Sequence, residues 1–347
     1  MQIKNEFFEQ MMARCLQIAQ NGAYYVAPNP MVGAVLCDAQ GHILSEGWHQ
    51  QYGGPHAEVN CLRHFEMSNL QSPISNLQDC TLFVSLEPCS HFGKTPPCAD
   101  LIISKGIGHV VVGMLDPNPL VAGNGVRKLR EAGIEVTVGV LEEACRELNK
   151  RFLCLQEKHR PYITLKWTQT SDGYIDVRRN PVSCTKAEHL NGALAISSPF
   201  TKRLVHQMRA ENMAILVGSN TALLDDPKLL NTHWSGRHPI RVLLDRRRRV
   251  PKTAHIFSDE AETIVYSDNT DWSYVVSDLA QRGIHSVLVE GGAQVLNSIL
   301  ASGIYDEIHV EVSPFILAQE GVPAPKIDLP SQPTLEIDGH RLYEIHR

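Results

Sequence analysis

Residues 55–58 read Pro55-His56-Ala57-Glu58, and the chain answers them with Glu87-Pro88-Cys89 and Pro97-Cys98. One imidazole, two thiols and a carboxylate one residue removed from the imidazole are the parts of a hydrolytic zinc site. Zinc activates water when three protein ligands leave a fourth position open. His56, Cys89 and Cys98 supply three ligands, and Glu58 is left over to move protons.

The local sequence also says where these groups sit. Proline is tolerated in the first turn of a helix, so Pro55 places His56 and Glu58 at a helix start. The apolar run Thr81–Leu86 reads as a strand that delivers Cys89 beyond its C-terminal end. Pro97-Cys98 opens the next helix, where unpaired N–H groups and the positive end of the dipole favour a thiolate. A structural zinc site, or cysteines that are merely buried, would use the same residue types. Two Pro-Cys pairs, one after a strand and one at a helix start, favour the catalytic site.

The chain is 347 residues long, about twice what such a site needs, so two domains are expected. Hydrophobic residues make up 43% and charged residues 20%, as in ordinary globular proteins. Thirty-two Lys and Arg against 38 Asp and Glu give a net charge of −6, which speaks against a nucleic-acid binder. No apolar run is long enough to cross a membrane, and the N-terminus lacks a signal-peptide core. Nine cysteines are scattered, with Cys15, Cys37, Cys61, Cys145 and Cys154 in apolar or helical settings. They read as small core residues of a reduced, cytoplasmic, disulfide-free protein.

Along the first half, helical patterns at 6–20, 56–66, 98–105 and 124–132 alternate with strand patterns at 31–37, 81–86, 109–114 and 134–138. This alternation predicts a mainly parallel α/β sheet with active groups near strand ends. A helix over 141–154 leads into a charged segment ending at Pro161. A first domain at 1–150, a linker at 151–160 and a second domain at 161–347 follow. The second half predicts strands near 162–167, 214–218, 240–245, 263–266, 285–290 and 306–312. Its helices are expected near 199–210, 272–282 and 292–302, and no repeat relates the two halves.

His-x-Glu followed by Pro-Cys-x-x-Cys is the pattern of zinc deaminases acting on nucleobases. Here eight residues, not two, separate Cys89 from Cys98. The run Pro88-Cys89-Ser90-His91-Phe92-Gly93-Lys94-Thr95-Pro96-Pro97-Cys98 closely resembles the bifunctional deaminase–reductase family of riboflavin biosynthesis. Pro28-Asn29-Pro30-Met31-Val32-Gly33, Gly47-Trp48-His49-Gln50 and Asp116-Pro117-Asn118-Pro119 match the same family. The resemblance implies a cytidine-deaminase-like three-layer domain with zinc on His56, Cys89 and Cys98 and with Glu58 as proton shuttle. Asn29, His49, His91 and Lys94 would surround a phosphoribosyl pyrimidine, whose 2-amino group is removed.

Residues 161–347 resemble that family's reductase domain, which is similar in fold to dihydrofolate reductase. The resemblance is carried by Pro161–Lys166, Ser171-Asp172-Gly173, Ile196-Ser197-Ser198-Pro199, His206–Glu211, Ile215–Thr221, Leu224-Asp225-Asp226-Pro227 and Val289-Glu290-Gly291-Gly292. Two glycines after a strand let backbone approach a ligand, and the following helix start can receive a phosphate. The resemblance implies NADPH held by Gln169, Thr221, Asp225 and the segment Gly292, Ala293, Gln294, Val295, Leu296, Asn297 and Ser298. Hydride would reach the ribose C1′, giving a ribityl chain. Lys166, Arg209, Leu229 and Glu290 would line the substrate, Arg209 as a clamp on the sugar phosphate. The basic run Arg246–Arg249 follows a predicted strand, and Arg246 is the candidate for the 2′-phosphate of NADP, the other three reading as a solvated turn.

Two departures from the family lie in this half: a long irregular segment at 177–195, with Ala193-Leu194-Ala195 where many members place a serine and a tryptophan, and Thr232 near an expected second phosphate clamp. The alternative that follows is a deaminase with a degenerate reductase domain. A nucleic-acid base deaminase is more remote, given the acidity and the long Cys–Cys loop. A homo-oligomer formed through the reductase domain is implied by the resemblance alone.

Overall fold

The computed structural model describes residues 2–68, 77–91, 96–118, 122–179 and 194–347, with side chains from Asn5 onward. The chain divides into two compact units, Met1–Lys158 and His159–Arg347. Among the described residues, no helix is long and apolar enough to cross a membrane.

The first unit is built on a five-stranded sheet of order β2-β1-β3-β4-β5, namely β1 Gly33–Cys37, β2 Ile43–Trp48, β3 Thr81–Leu86, β4 His109–Met114 and β5 Glu135–Val138. β3, β4 and β5 run parallel, but β1 is antiparallel to both β2 and β3. The sheet is therefore mixed rather than mainly parallel, because a short turn joins β1 to a strand that the sequence pattern did not reveal. Side-chain alternation makes three layers. Val35, Cys37, Phe83 and Val111 point to one face, where Phe8, Met12, Cys15 and Ile18 of α1 (Gln2–Ala19), Cys145 of α5 (Glu142–Leu148) and Leu153 of α6 (Lys150–Lys158) cover them. Ala34, Leu36, Leu82, Val84, Val110 and Val112 point the other way. There α2 (Ala57–Ser68), α3 (Cys98–Ser104) and α4 (Asn124–Glu131) contribute Cys61, Leu62, Ile102 and Leu129. The five cysteines read as core residues are all buried.

Two glycines set how closely these layers meet. A Cβ on Gly33 would lie 2.0 Å from the Cys15 carbonyl oxygen, and one on Gly47 would lie 2.2 Å from the Cys61 amide nitrogen. Only hydrogen at these positions lets α1 seat on β1 and α2 seat on β2. Since α2 carries Glu58, the Gly47 contact also fixes the height of the zinc-side helix.

The second unit holds an eight-stranded sheet of order β10-β9-β8-β11-β6-β12-β15-β14. Its strands are β6 Tyr162–Gln169, β8 Ala214–Gly218, β9 Ile240–Leu244, β10 Thr263–Tyr266, β11 Ser286–Val289, β12 Glu307–Val312, β14 Leu335–Ile337 and β15 His340–His346. β10 through β12 are parallel, and β15 and β14 add antiparallel partners at one end. A separate antiparallel pair joins β7 (Tyr174–Val177) to β13 (Gly321–Pro323). One sheet face buries Ile163, Leu165, Val287, Val289, Ile308 and Val310 beneath α9 (Trp272–Gln281) and α10 (Ala293–Ser302). The alternate residues Thr164, Lys166, Thr168, Glu307, His309 and Glu311 make the other face polar over β6 and β12, while Ile215, Val217 and Leu243 keep it apolar over β8 and β9. α7 (Pro199–Glu211) starts with Pro199 in its first turn behind Ser198, whose Oγ accepts the Thr201 N–H at 3.1 Å.

Residues 151–158, expected as part of a linker, continue as helix α6, and the division falls between Lys158 and His159. The second unit is closed at its start by Arg160, which donates two bonds to the buried Asp306 at 2.5 and 2.7 Å, while Asp306 also accepts the Ile163 N–H.

Candidate active sites

His56 precedes α2, Cys98 begins α3 behind the N-cap Pro97, and Cys89 follows β3. His56 Nδ1 lies 3.6 Å from Cys89 Sγ and 3.3 Å from Cys98 Sγ, and the three donor atoms all lie within 4.8 Å of one another. An N, S, S set of this spacing fits tetrahedral zinc with a position to spare. The Cys98 amide donates to Cys89 Sγ at 3.3 Å, as expected for a thiolate received by a helix start. The hydrogen bond from the Cys98 thiol, helped by His56, holds Cys89 well below the usual thiol range, and Cys98 is pushed up in turn because it holds the shared proton.

Glu58 sits in the first turn of α2 and is 3% exposed. Burial pushes its carboxyl up to about 7, with His56 opposing the shift. A carboxyl poised there exchanges protons readily near neutral pH.

Asn29 and His49 stand together beside the donor set. The His49 ring meets His56 edge-on at 5.7 Å, its Nδ1 is 2.9 Å from the Pro55 carbonyl oxygen, and its Nε2 is 3.1 Å from Asn29 Nδ2. These partners select one neutral tautomer, in which Nδ1–H donates to Pro55 and Nε2 accepts from Asn29. Burial lowers the His49 pKa, which agrees with that tautomer. Asn60 Nδ2 donates to the Trp48 carbonyl at 2.7 Å and so ties the same loop to α2. His91 is exposed, and Lys94 lies outside the described residues.

Glu87 is the member of this site that sequence reasoning missed. Its side chain is buried and accepts four backbone N–H bonds, Asp116 and Gly123 on Oε2 and Gly125 and Val126 on Oε1, at 2.8–3.1 Å. A Cβ on Gly125 would lie 2.0 Å from the Pro88 carbonyl oxygen, so the loop bearing Cys89 lies directly on the start of α4. The available signal was a carboxylate at a strand end together with the Gly123-Asn124-Gly125 helix start, which offers unpaired donors.

In the second unit the expected residues are mostly engaged by protein partners. Arg209 grips Glu290 with both prongs of its guanidinium, at 2.8 and 2.7 Å, and donates to the Leu230 carbonyl at 2.9 Å. It is thus the partner of Glu290, where a phosphate clamp was expected. Burial pushes Lys166 down while Glu290 and Glu311 hold it up, and its Nζ donates to Thr168 Oγ1 at 2.9 Å. Glu311, missed in sequence, gathers Thr168 and Ser197 on Oε2 and Thr201 on Oε1 at 2.7–2.9 Å, with His340 Nδ1 2.8 Å away. Leu229 is 4% exposed, packs in a core cluster with Val217 and Leu243, and holds a left-handed backbone with φ 54°. Its backbone, not its side chain, is what it can offer a substrate.

On the cofactor side, Gly292 caps α10, and its N–H donates to Thr221 Oγ1 at 3.1 Å. A Cβ on Gly291 would lie 2.9 Å from Val295 Cβ, so the strand end and the helix start are in close contact. The amides of Ala293 and Gln294 head the helix, where no intrahelical acceptor precedes them. Val295 packs inward, Leu296 is fully buried in the core, and Asn297 and Ser298 lie a turn further on, with Ser298 accepting from Trp272 Nε1. Of the expected seven-residue cofactor segment, Gly292, Ala293 and Gln294 stand at the helix start. Asp225 pairs with Arg179 at 2.6 Å, and Gln169 Oε1 accepts from Trp167 Nε1 at 2.9 Å. Arg246 is exposed, whereas Arg249 donates to Ser219 Oγ at 2.8 Å and Asn220 Oδ1 at 2.6 Å at the start of α8 (Ser219–Asp225). Arg248 takes a left-handed backbone, φ 52°, and the turn it makes brings Arg249 back to the sheet. Residues 180–193, with Ala193, lie outside the described residues, and Thr232 N–H donates to His206 Nδ1 at 3.0 Å.

Comparison with known proteins agrees with both halves. The family described as the cytidine and deoxycytidylate deaminase zinc-binding region matches residues 5–114, and the RibD C-terminal domain matches residues 161–343. The riboflavin biosynthesis protein RibD of Aquifex aeolicus is 38% identical over 90% of this chain and 89% of its own length. That of Escherichia coli K12 is 35% identical over 90% and 89%. A crystal structure from Thermotoga maritima, described as a diaminohydroxyphosphoribosylaminopyrimidine deaminase/5-amino-6-(5-phosphoribosylamino)uracil reductase, is 35% identical, covers 99% of each chain and superposes with a TM-score of 0.84. Zinc-site geometry in the first unit, a reductase domain in the second and similarity along the whole length place the chain in the RibD family of bifunctional deaminase–reductases of riboflavin biosynthesis.

Proposed function

We propose that the first unit hydrolyses the 2-amino group of 2,5-diamino-6-(5-phosphoribosylamino)pyrimidin-4-one. The second unit then reduces the ribosyl group of the product to ribityl with NADPH. What carries the first step is the coincidence of three zinc donors within 4.8 Å and a carboxyl raised to about 7 by burial. His56, Cys89 and Cys98 would hold zinc, which supplies Lewis-acid activation of water when bound. Glu58 takes a proton from the attacking water and returns it to the departing nitrogen, so ammonia leaves as the ring carbon gains oxygen. Asn29 and His49, fixed by their mutual bond and by Pro55, orient the pyrimidine. His91, which is exposed, would meet the phosphoribosyl end.

In the second unit, NADPH supplies hydride when bound. The first-turn amides of α10 after Gly292, with Thr221, would receive its pyrophosphate, and Asp225 and Gln169 would line the cofactor side. Arg249 replaces Arg246 as the cation for a 2′-phosphate, because it alone of the two reaches the start of α8. Lys166 feels the charges of Glu290 and Glu311, and its lowered pKa would let it protonate the ring oxygen as the bond from C1′ to that oxygen breaks and C1′ becomes open to hydride. Arg209 holds Glu290 in place for this step. The experiment is to give purified protein the diaminopyrimidinone with NADPH, following ammonia and nicotinamide absorbance together. Ammonia release without loss of absorbance, including when the deaminated intermediate is supplied directly, would reduce the protein to a deaminase with a degenerate second domain.

A further inference from the structure

The proposed reduction leaves one buried carboxyl on the polar sheet face without a role. Glu311 of β12 is 3% exposed and lies opposite Thr168 of β6 in the strand register. Lys166 stands two residues before Thr168 on the same strand and so on the same face. Lys166 Nζ donates to Thr168 Oγ1 at 2.9 Å, and Thr168 Oγ1 donates to Glu311 Oε2 at 2.9 Å. Ser197 Oγ donates to the same carboxyl oxygen at 2.7 Å, and Thr201 Oγ1, in the first turn of α7, donates to Oε1 at 2.7 Å. Lys166, Thr168 and Glu311 thus form a chain of two hydrogen bonds that ends on an acceptor.

Proton counting sets the direction of that chain. A hydroxyl has one proton to give and two lone pairs with which to receive. The Thr168 proton lies on the Glu311 side, so its lone pairs are left for Lys166 and Nζ must be the donor. The Ser197 and Thr201 hydroxyls also turn their protons to Glu311, so neither offers Thr168 a donor in place of Lys166. The charges around Lys166 act in the same sense. Burial pushes it down, Glu290 and then Glu311 hold it up, and Arg209 lowers it. Glu290 and Arg209 are bonded to one another by two prongs, so their effects on Lys166 oppose. Glu311 instead reaches Lys166 along a hydrogen-bonded path. His309 stands in register with Lys166, and His340 Nδ1 is 2.8 Å from the other oxygen of Glu311.

We propose that Glu311, acting through Thr168, is a positioning residue of the reduction: it orients the Thr168 hydroxyl so that Lys166 is held in one place as a proton donor. This role presupposes Lys166 as the group that protonates the sugar ring oxygen in the function proposed for the second unit. Full-length protein is given the deaminated product and NADPH, and kcat, KM and the pH profile of kcat are recorded beside ammonia release from the diaminopyrimidinone. Thr168→Val nearly keeps the shape and removes the oxygen. Glu311→Gln adds an amide that can donate where the hydroxyls need an acceptor. Each should lower kcat for reduction roughly 10-fold or more, with KM changed less than about threefold and ammonia release constant. The alkaline fall of kcat, where Lys166 loses its proton, should move to lower pH because a partner of the charged form is gone. Thr168→Ser restores the hydroxyl and should return both kcat and the profile. A less stable second unit with an unmoved profile would overturn the proposal. Lys166→Met separates the two readings. Reduction lost in that variant, with parental kcat and profile in Thr168→Val and Glu311→Gln, overturns the role of Glu311 alone, whereas parental reduction in Lys166→Met overturns both. If Glu311→Gln does not fold, Thr168→Val and Thr168→Ser decide it.

Discussion

The two units solve the same problem, holding reactive groups still, in opposite ways. In the first unit the chemistry sits at the ends of elements, on residues close in sequence: His56 with Glu58, and Cys89 with Cys98. Their donor atoms face one another with room for an ion, and the support comes from behind, through Glu87, Asn60 and Gly47. In the second unit Arg209 and Glu290 come from separate elements and satisfy one another directly, while Lys166 and Glu311 meet through Thr168. A metal site is thus arranged for a missing partner, and the reductase face for internal balance. The same kind of substitution should therefore fail differently in each.

Arg209→Ala should give the largest loss of stability, because it leaves Glu290, 13% exposed, as an unpaired buried charge. Breaking such a pair costs about 3–5 kcal/mol. Chemical denaturation should show the second unit losing that much while the first keeps its transition, and reduction should vanish while ammonia release continues. Arg209→Lys restores charge without the two-pronged grip and should recover only part of both. A neutral effect on the second transition would mean that Arg209 is free for a phosphate after all.

Glu87→Ala is the matching blow to the first unit, since it strands four backbone donors and frees the loop that carries Cys89. A cost on the order of 3 kcal/mol is expected for the unit. Zinc should bind roughly 10–100-fold more weakly, measured by chelator competition, as for other supporting residues around metals. Unchanged zinc affinity would show that α4 does not position Cys89.

Gly47→Ala should be milder, about 1–3 kcal/mol, as α2 is pushed off β2 by the new methyl group. The deaminase rate should fall with it because Glu58 rides on α2, while the reductase rate stays constant.

The smallest effect is one of pH. Burial, with Arg209 and His233 adding, lowers His206 to about 4 from its ordinary 6.5, and its Nδ1 accepts the Thr232 N–H, which protonation would break. The unfolded chain therefore binds this proton first as pH falls. The stability of the second unit should be complete above pH 6.5 and decline between 6.5 and about 4. His206→Gln should flatten that part of the profile, and a profile identical to the parent's would assign the acid sensitivity elsewhere.

Much of this was legible in the sequence where residue type and position coincide. His56, Glu58, Cys89 and Cys98 announce themselves because few roles suit those types at helix starts and strand ends. Strand β2 was hidden because its buried positions are Ser45 and Gly47, chosen for the close approach of α2 rather than for apolarity. β15 was hidden for a related reason: its outward residues Glu344 and His346 belong to a polar cluster on the sheet face. The bonds of Arg249 to the start of α8 were hidden because they follow a left-handed residue at Arg248, and no run of like residues reveals such a turn. Partners as such, Glu290 for Arg209 and Arg179 for Asp225, depend on contacts between residues 81 and 46 positions apart. Composition and periodicity carry no information at that range.

The central claim is that one chain carries two chemistries, with Glu58 serving only the first. Glu58→Gln protein should be supplied separately with the diaminopyrimidinone and with its deaminated product plus NADPH, and its zinc measured. Zinc should be retained, ammonia release should slow by about 10²–10⁴-fold or more, and NADPH oxidation on the deaminated product should keep the parental rate. Ammonia release at the parental rate with zinc in place would contradict it.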